Sequence, residues 1–191
     1  MGALDGRRVA VVGSAGPLGQ AAIAAFEAEG AVVTAADPGA DGDATIAVEQ
    51  AIATLSGLDV LVNLTTPDGP SKPAAEVGRD DWERTVKTTL QAARTSNQAA
   101  FRHMSAHGGG LIVNHADQSA EFGVPGRALA SAAAQAVVAL TNASAGAWQG
   151  SDVRVNVLQP GLFSDPATSV VPTLVFLATG AAQLHGKTLQ C

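Results

Sequence analysis

At 191 residues with 47% hydrophobic side chains, the chain can bury a substantial core without disulfide or metal staples. Aromatics supply only 4%, so that core is built from Val, Leu, Ile and Ala rather than as an aromatic cage. A formal charge of −6 argues against a nucleic-acid groove, and the single cysteine, Cys191, excludes an intrachain disulfide and suits a reducing compartment.

The N-terminal "MGALDGRR" has no apolar centre of the kind a secretory leader needs. The late apolar stretch "VVPTLVFLATGAA" is too short and interrupted for a membrane span. The expectation is a cytoplasmic protein with no membrane and no nucleic-acid partner.

"RRVAVVG" (7–13) reads as a buried parallel strand, and "LGQAAIAAFEAEG" follows with helical spacing and Gly30 as its stop. "AVVTAAD" (31–37) predicts a second strand, a helix begins near Thr45, and "LDVLVNL" (58–64) predicts a third strand. A long helix over 80–104 opens on acidic residues and is followed by a strand at "GGLIVNHA" (109–116). The alanine-rich stretch Ser131–Gln149 predicts a second long helix, then "DVRVNVLQPG" a strand and turn. "VVPTLVFLAT" predicts a helix with Pro172 in its first turn, and "GKTLQ" a last strand. Alternating strands and helices with near-continuous apolar strands predict an α/β fold, a Rossmann-like doubly wound parallel sheet, as one domain over 1–191.

One connection is short. Between Asp37 and the helix near Thr45 lies only "PGADGDA". A parallel crossover needs about a dozen residues or more. The helix–strand unit after the second strand therefore cannot fit, and that strand should lie at the sheet edge, capped by this loop.

In this order and spacing, the motifs resemble the classical short-chain dehydrogenase/reductase family from about Asp5 to Gln190. The points of likeness are the glycine-rich "VVGSAGPLG", "LDVLVNLTTPDG", "DDWERTVKTTL", "GGLIVNHADQSA", "VRVNVLQPG" and "LVFLATGAAQLHGKTLQ". The resemblance implies a nicotinamide cofactor and a Tyr–Lys pair, four residues apart, on one face of a helix. Here those positions are Ala130 and Ala134 in "GRALASAAAQAVV", the family's serine position is Asp117, and its structural asparagine position is Thr89. In the family the Tyr donates the proton, the Lys lowers its pKa and holds the ribose, and the Ser positions the substrate oxygen. Alanine has neither donor nor acceptor. The expectation is a catalytically degenerate member.

Gly13, Gly16 and Gly19 form a glycine turn between a strand and a helix, the context in which N–H groups meet a pyrophosphate. Pro17 removes one such donor, and Asp165 places a negative charge where the family has a cofactor-facing Thr, or is simply solvated. Asp37 reads either as the acidic group that binds an adenine ribose and favours NAD, or as a turn residue before Pro38. Asn63 keeps the first residue of the family's Asn-Asn-Ala-Gly, whereas Thr66 puts a branched side chain in place of its glycine. The cofactor set Gly13, Gly16, Gly19, Asp37 and Asn63 is thus expected to be vestigial, with no cofactor bound productively and NAD bound weakly at most. Only the ten residues of "PGLFSDPATS" lie between the preceding strand and the last helix, too few for a substrate lid.

His115 and Asp117, two apart on a strand, can face one side as base and orienter, with Ser119 or Ser131 as nucleophile. Otherwise they are a rim residue and a solvated acid. His103 and His107 have no third ligand at metal spacing, so no metal is expected. The two long helices and the last helix and strand are the family's assembly surfaces. Together these features favour a non-catalytic subunit of an oxidoreductase complex. It would pair with an active short-chain dehydrogenase, in a heterotetramer, on a hydroxyacyl or ketoacyl thioester. An NAD-sensing regulator and a cofactor-independent enzyme using His115 and Asp117 are the alternatives.

Overall fold

The computed structural model describes residues 2–65, 71–161 and 165–191, apart from the side chains of residues 119, 120 and 166. Six parallel strands form one sheet: β1 (Arg8–Val12), β2 (Val32–Ala35), β3 (Val60–Asn63), β4 (Gly110–His115), β5 (Val153–Gln159) and β6 (Thr188–Gln190). Their spatial order is β2-β1-β3-β4-β5-β6, so the chain steps one way from β1 to β2 and the other way from β3 onward. The topological switch lies between β1 and β3, where open α/β sheets bind ligands at the strands' carboxyl ends. β2 occupies the edge, as the seven-residue connection requires. The fold class is the Rossmann-like α/β sheet the alternation predicts.

Helices cover both faces. α1 (Pro17–Ala28) and α7 (Pro166–Thr179) pack together over one face, through Phe26, Val170, Leu174 and Leu177 against Val9, Val11, Val62, Val113 and Leu158. α2 (Thr45–Leu55), α4 (Ala92–Ala106) and α6 (Ala128–Ala147) cover the other, against Ala10, Leu61, Ile112, Val155 and Val157. Branched residues dominate the strands because both of their faces are buried. α6 is long and apolar enough to cross a membrane by length and composition alone. Its buried residues recur at helical spacing (Ala130, Ala133, Ala134, Val137, Thr141), and this stripe lies against the sheet.

Several boundaries differ from the expectation. The long helix is α3 (Arg79–Thr85), a π-helical segment over Val86–Gln91, and α4 in continuous succession. Nothing in apolar spacing encodes a π segment. α6 starts three residues before the expected Ser131, at Ala128. α7 starts at Pro166, with Asp165 as its N-cap, so Pro172 lies inside the helix and not in its first turn. The proline at the first helical position is the true start signal. A one-turn α5 (Ser119–Phe122) was not visible in the pattern.

The short loop after Asp37 is held by its own acids. Asp41 Oδ1 accepts from Asp43 N at 3.0 Å, and Asp43 Oδ1 from Thr45 N at 2.7 Å, which starts α2. Ala44 N donates to Thr95 Oγ1 at 2.9 Å, tying the loop to α4.

Candidate functional site

The site is built at the carboxyl ends of β1, β3, β4 and β5. In a parallel sheet each following helix runs back along it, so the N-termini of α1 and α7 both lie at this edge. Helix N-termini carry unsatisfied N–H groups and a positive field.

Each glycine of the turn has a distinct steric task. Gly13 adopts φ +85°, open to glycine at little cost, and a Cβ there would lie 2.8 Å from the Leu64 carbonyl carbon. Gly19 admits no Cβ either, because one would sit 2.2 Å from the Gly13 carbonyl oxygen. That contact seats α1 against the turn. Gly16 differs: a Cβ on it would meet no atom within 4 Å. Its bare surface faces open space beside the helix start, where a ligand can approach the backbone.

Pro17 occupies the first position of α1, after Gly16 as N-cap, and no side chain caps the helix. The first intrahelical bond of the turn is Gln20 N to Gly16 O at 3.0 Å. Pro17 therefore deletes only a donor that the helix would not use, and its fixed φ presets the first turn. One ligand-facing N–H is thus absent at Pro17, as expected, while the next N–H groups of α1 have no intrahelical acceptor.

Asp37 follows β2. Its Oδ1 accepts from Gly13 N at 2.6 Å and Ser14 N at 2.9 Å, and its Oδ2 accepts from the Ser14 hydroxyl. It is the acid that braces the glycine turn. Asp165 caps α7 by accepting from Ala167 N at 3.1 Å, which gives it a role at that helix start.

Asn63 lies elsewhere. Its side chain faces α4, where Nδ2 donates to Asn97 Oδ1 at 2.8 Å and Asn114 Oδ1 at 2.7 Å, and Oδ1 accepts from Ser96 Oγ at 2.8 Å. Asn114 Nδ2 continues to Thr141 Oγ1 of α6 at 2.9 Å. This buried network clamps β3 and β4 to both long helices. The sequence offered a signal for it, polar Ser96 and Asn97 amid the alanines of α4, and it was not read.

Ala130 and Ala134 are 8% and 1% exposed on the sheet-facing side of α6. Thr89 lies in the π segment, buried, with an unpartnered Oγ1. Asp117 is ion-paired with Arg127. The base-and-orienter pair of His115 and Asp117 is therefore not formed: both ring nitrogens of His115 are buried without a partner. Burial pushes the His115 imidazole down to about 4, with Asp117 opposing weakly, so it is neutral at pH 7. Gln159 Nε2, at the end of β5, is likewise buried and unpartnered. Ser131 sits in the first turn of α6. The Ser119 side chain, Thr66 and residues 162–164 lie outside the described residues. His103 and His107 stack on each other, ring centroids 4.2 Å apart, at the end of α4.

The fit of a dinucleotide can be judged from this geometry. The tight turn at Gly13, the open backbone at Gly16, the close packing at Gly19 and the acid after β2 meet the demands of a pyrophosphate and ribose at a strand–helix turn. The residues fit the group.

The family description "short chain dehydrogenase" matches residues 3–172. The chain belongs to this family. It is 32% identical over 148 residues to cis-4-hydroxycyclohexanecarboxylate dehydrogenase of Sinomonas cyclohexanicum, covering 77% of this chain and 59% of that protein. It is 33% identical to gluconate 5-dehydrogenase of Gluconobacter oxydans (75% and 56%) and 29% identical to D-threitol dehydrogenase of Mycolicibacterium smegmatis (82% and 70%). The matched region thus spans little more than half the length of two of these relatives. A solved structure described as a putative short-chain alcohol dehydrogenase from Sinorhizobium meliloti shares the fold. Its TM-score is 0.86 at 24% identity, over 98% of this chain and 95% of that one.

These findings correct three expectations. The three relatives named above are dehydrogenases, so the reading as a non-catalytic partner of another enzyme is overturned. The doubt that the chain is an enzyme falls with it. So does the expectation that no cofactor is bound productively, because the family is one of cofactor-binding dehydrogenases. In the fold Pro17 starts α1 and Asp165 caps α7.

Proposed function

We propose that this chain is a nicotinamide-dinucleotide-dependent oxidoreductase that interconverts a hydroxyl and a carbonyl on a small organic substrate. The observation that carries the reading is the uncapped N-terminus of α1 behind a glycine turn braced by Asp37, at the switch point of the sheet. The N–H groups after Pro17 and the open backbone of Gly16 would hold the pyrophosphate, and Asp37 the adenine ribose. An acid there favours NAD over NADP, since it repels a 2′-phosphate.

When bound, the dinucleotide supplies the hydride acceptor. The chain's own residues must orient the substrate and handle the proton on its oxygen. Ala130 and Ala134 have no group for this, so the task falls on polar groups elsewhere along the carboxyl edge of β4 and β5. The hydroxylated, in part carboxylated, compounds in the relatives' names make small hydroxy acids and polyols the first substrates to test.

The experiment is a panel of such alcohols with NAD, followed by the absorbance of the reduced nicotinamide. Substrate-dependent reduction that is abolished in Asp37→Arg supports the reading. An inert protein across the panel in both directions, with NAD and NADP, overturns it.

A further inference from the structure

His115 is the most anomalous polar side chain of the described residues. It ends β4, is 5% exposed, and has no hydrogen-bond partner on either nitrogen. An imidazole buried in this way forgoes the hydrogen bonds it would make in water, and an apolar residue of similar volume would fill the place better. Orphaned groups of this kind mark a missing partner.

Its position says where that partner sits. Leu111 and Val113 of β4 face the layer of α1 and α7, and strand alternation puts His115 on the same face. It is paired in register with Leu158, which belongs to the same layer. His115 therefore lies at the carboxyl edge of the sheet, on the face that α1 and α7 cover. That edge is two strands beyond β1, on the opposite side from Asp37 and β2. A dinucleotide whose ribose end meets Asp37 runs along this edge toward β4.

We infer that His115 is a binding residue for the nicotinamide end of the dinucleotide, hydrogen-bonding its polar carboxamide or ribose hydroxyls from the end of β4. A neutral imidazole offers one N–H donor and one bare nitrogen acceptor, and both ligand groups can accept as well as donate. Asp117 does not compete for the ring because Arg127 holds it. Bound ligand then supplies the partner that the protein alone does not.

This inference rests on the dinucleotide reading above, and the test separates the two. Wild type, His115→Leu and His115→Gln are titrated calorimetrically with NAD and with ADP-ribose, which lacks the nicotinamide. Each variant's melting temperature is measured in parallel. The expected result is that His115→Leu loses at least tenfold in NAD affinity, keeps its ADP-ribose affinity, and melts no lower than wild type. His115→Gln, which retains a donor and an acceptor, should recover part of the loss and also serves if the leucine variant does not fold. Equal NAD affinity in all three proteins, or an equal fall for NAD and ADP-ribose, overturns the role of His115 alone. If wild type binds neither ligand, the dinucleotide reading itself has failed, and this assignment with it.

Discussion

The carboxylate of Asp37 accepts a 2.6 Å hydrogen bond from the N–H of Gly13, so the end of the edge strand is fastened to the glycine turn. Ser14 adds its N–H at 2.9 Å and its hydroxyl to the same acid. One residue thus shapes the turn, and on the proposed reading it would also meet the ribose of a bound dinucleotide. Replacing it with alanine frees three donors at an exposed site. Hydrogen bonds to a charged group contribute about 1.5–3 kcal/mol each when well formed, with exposure reducing this. Asp37→Ala should weaken NAD roughly tenfold while NADP changes less, and parallel calorimetric titrations with the two ligands check it.

Gly19 and Gly16 should separate by substitution. At Gly19 an alanine Cβ would press on backbone 2.2 Å away, so Gly19→Ala should lower stability by about 1–3 kcal/mol, the usual cost of overpacking. At Gly16 the added methyl meets nothing within 4 Å. Gly16→Ala should therefore melt as wild type yet bind NAD more weakly. Thermal denaturation together with ligand titration distinguishes a structural glycine from one that admits a ligand.

Asn63 holds three partners at once, Ser96, Asn97 and Asn114. Asn63→Ala strands the buried amide oxygens of Asn97 and Asn114, at about 1–3 kcal/mol for each group left unsatisfied, whereas Ser96 keeps its hydrogen bond to the Ala92 carbonyl. A loss of about 3 kcal/mol or more in urea unfolding is expected. Asn63→Leu should be no better, because the partners remain.

His115 makes stability depend on acidity. The ring is held neutral in the folded protein, with a pKa of about 4 against an ordinary 6.5, chiefly through burial. Between these values the unfolded chain takes up a proton that the folded chain refuses, so stability falls as pH drops from 6.5 toward 4. The total is roughly 3 kcal/mol. Asp59, lowered mainly by its hydrogen bonds with Arg8, adds a loss only at more acid pH, when it is protonated. The difference in urea midpoint between wild type and His115→Leu should be constant near neutrality and widen in favour of the leucine variant below pH 6.5.

Much of the fold was legible because burial writes it plainly. Short apolar runs such as "VAVV" and "LIVN", rich in branched residues and flanked by glycine or turn residues, read as strands covered on both faces, and the seven residues after Asp37 leave no room for a further strand. Prolines were harder. Pro172 looked like a helix start because proline is favoured there, yet Pro166, six residues earlier, holds that role behind Asp165. Pro17 looked like a defect for the same want of context, since its harm or harmlessness depends on which helical position it takes. The π segment over Val86–Gln91 and the Asn63–Asn97–Asn114 network depend on tertiary packing between elements far apart in sequence. His115 and Asp117 were singled out from their spacing, but only the structure shows that Arg127 takes Asp117 and leaves the imidazole unpartnered.

The most direct measurement of the central claim is a calorimetric titration of the protein with NAD. The account predicts saturable binding to one site per chain, weakened by Gly16→Ala and by Asp37→Ala without loss of fold. Absence of heat up to millimolar NAD and NADP, or binding that neither substitution alters, would contradict it.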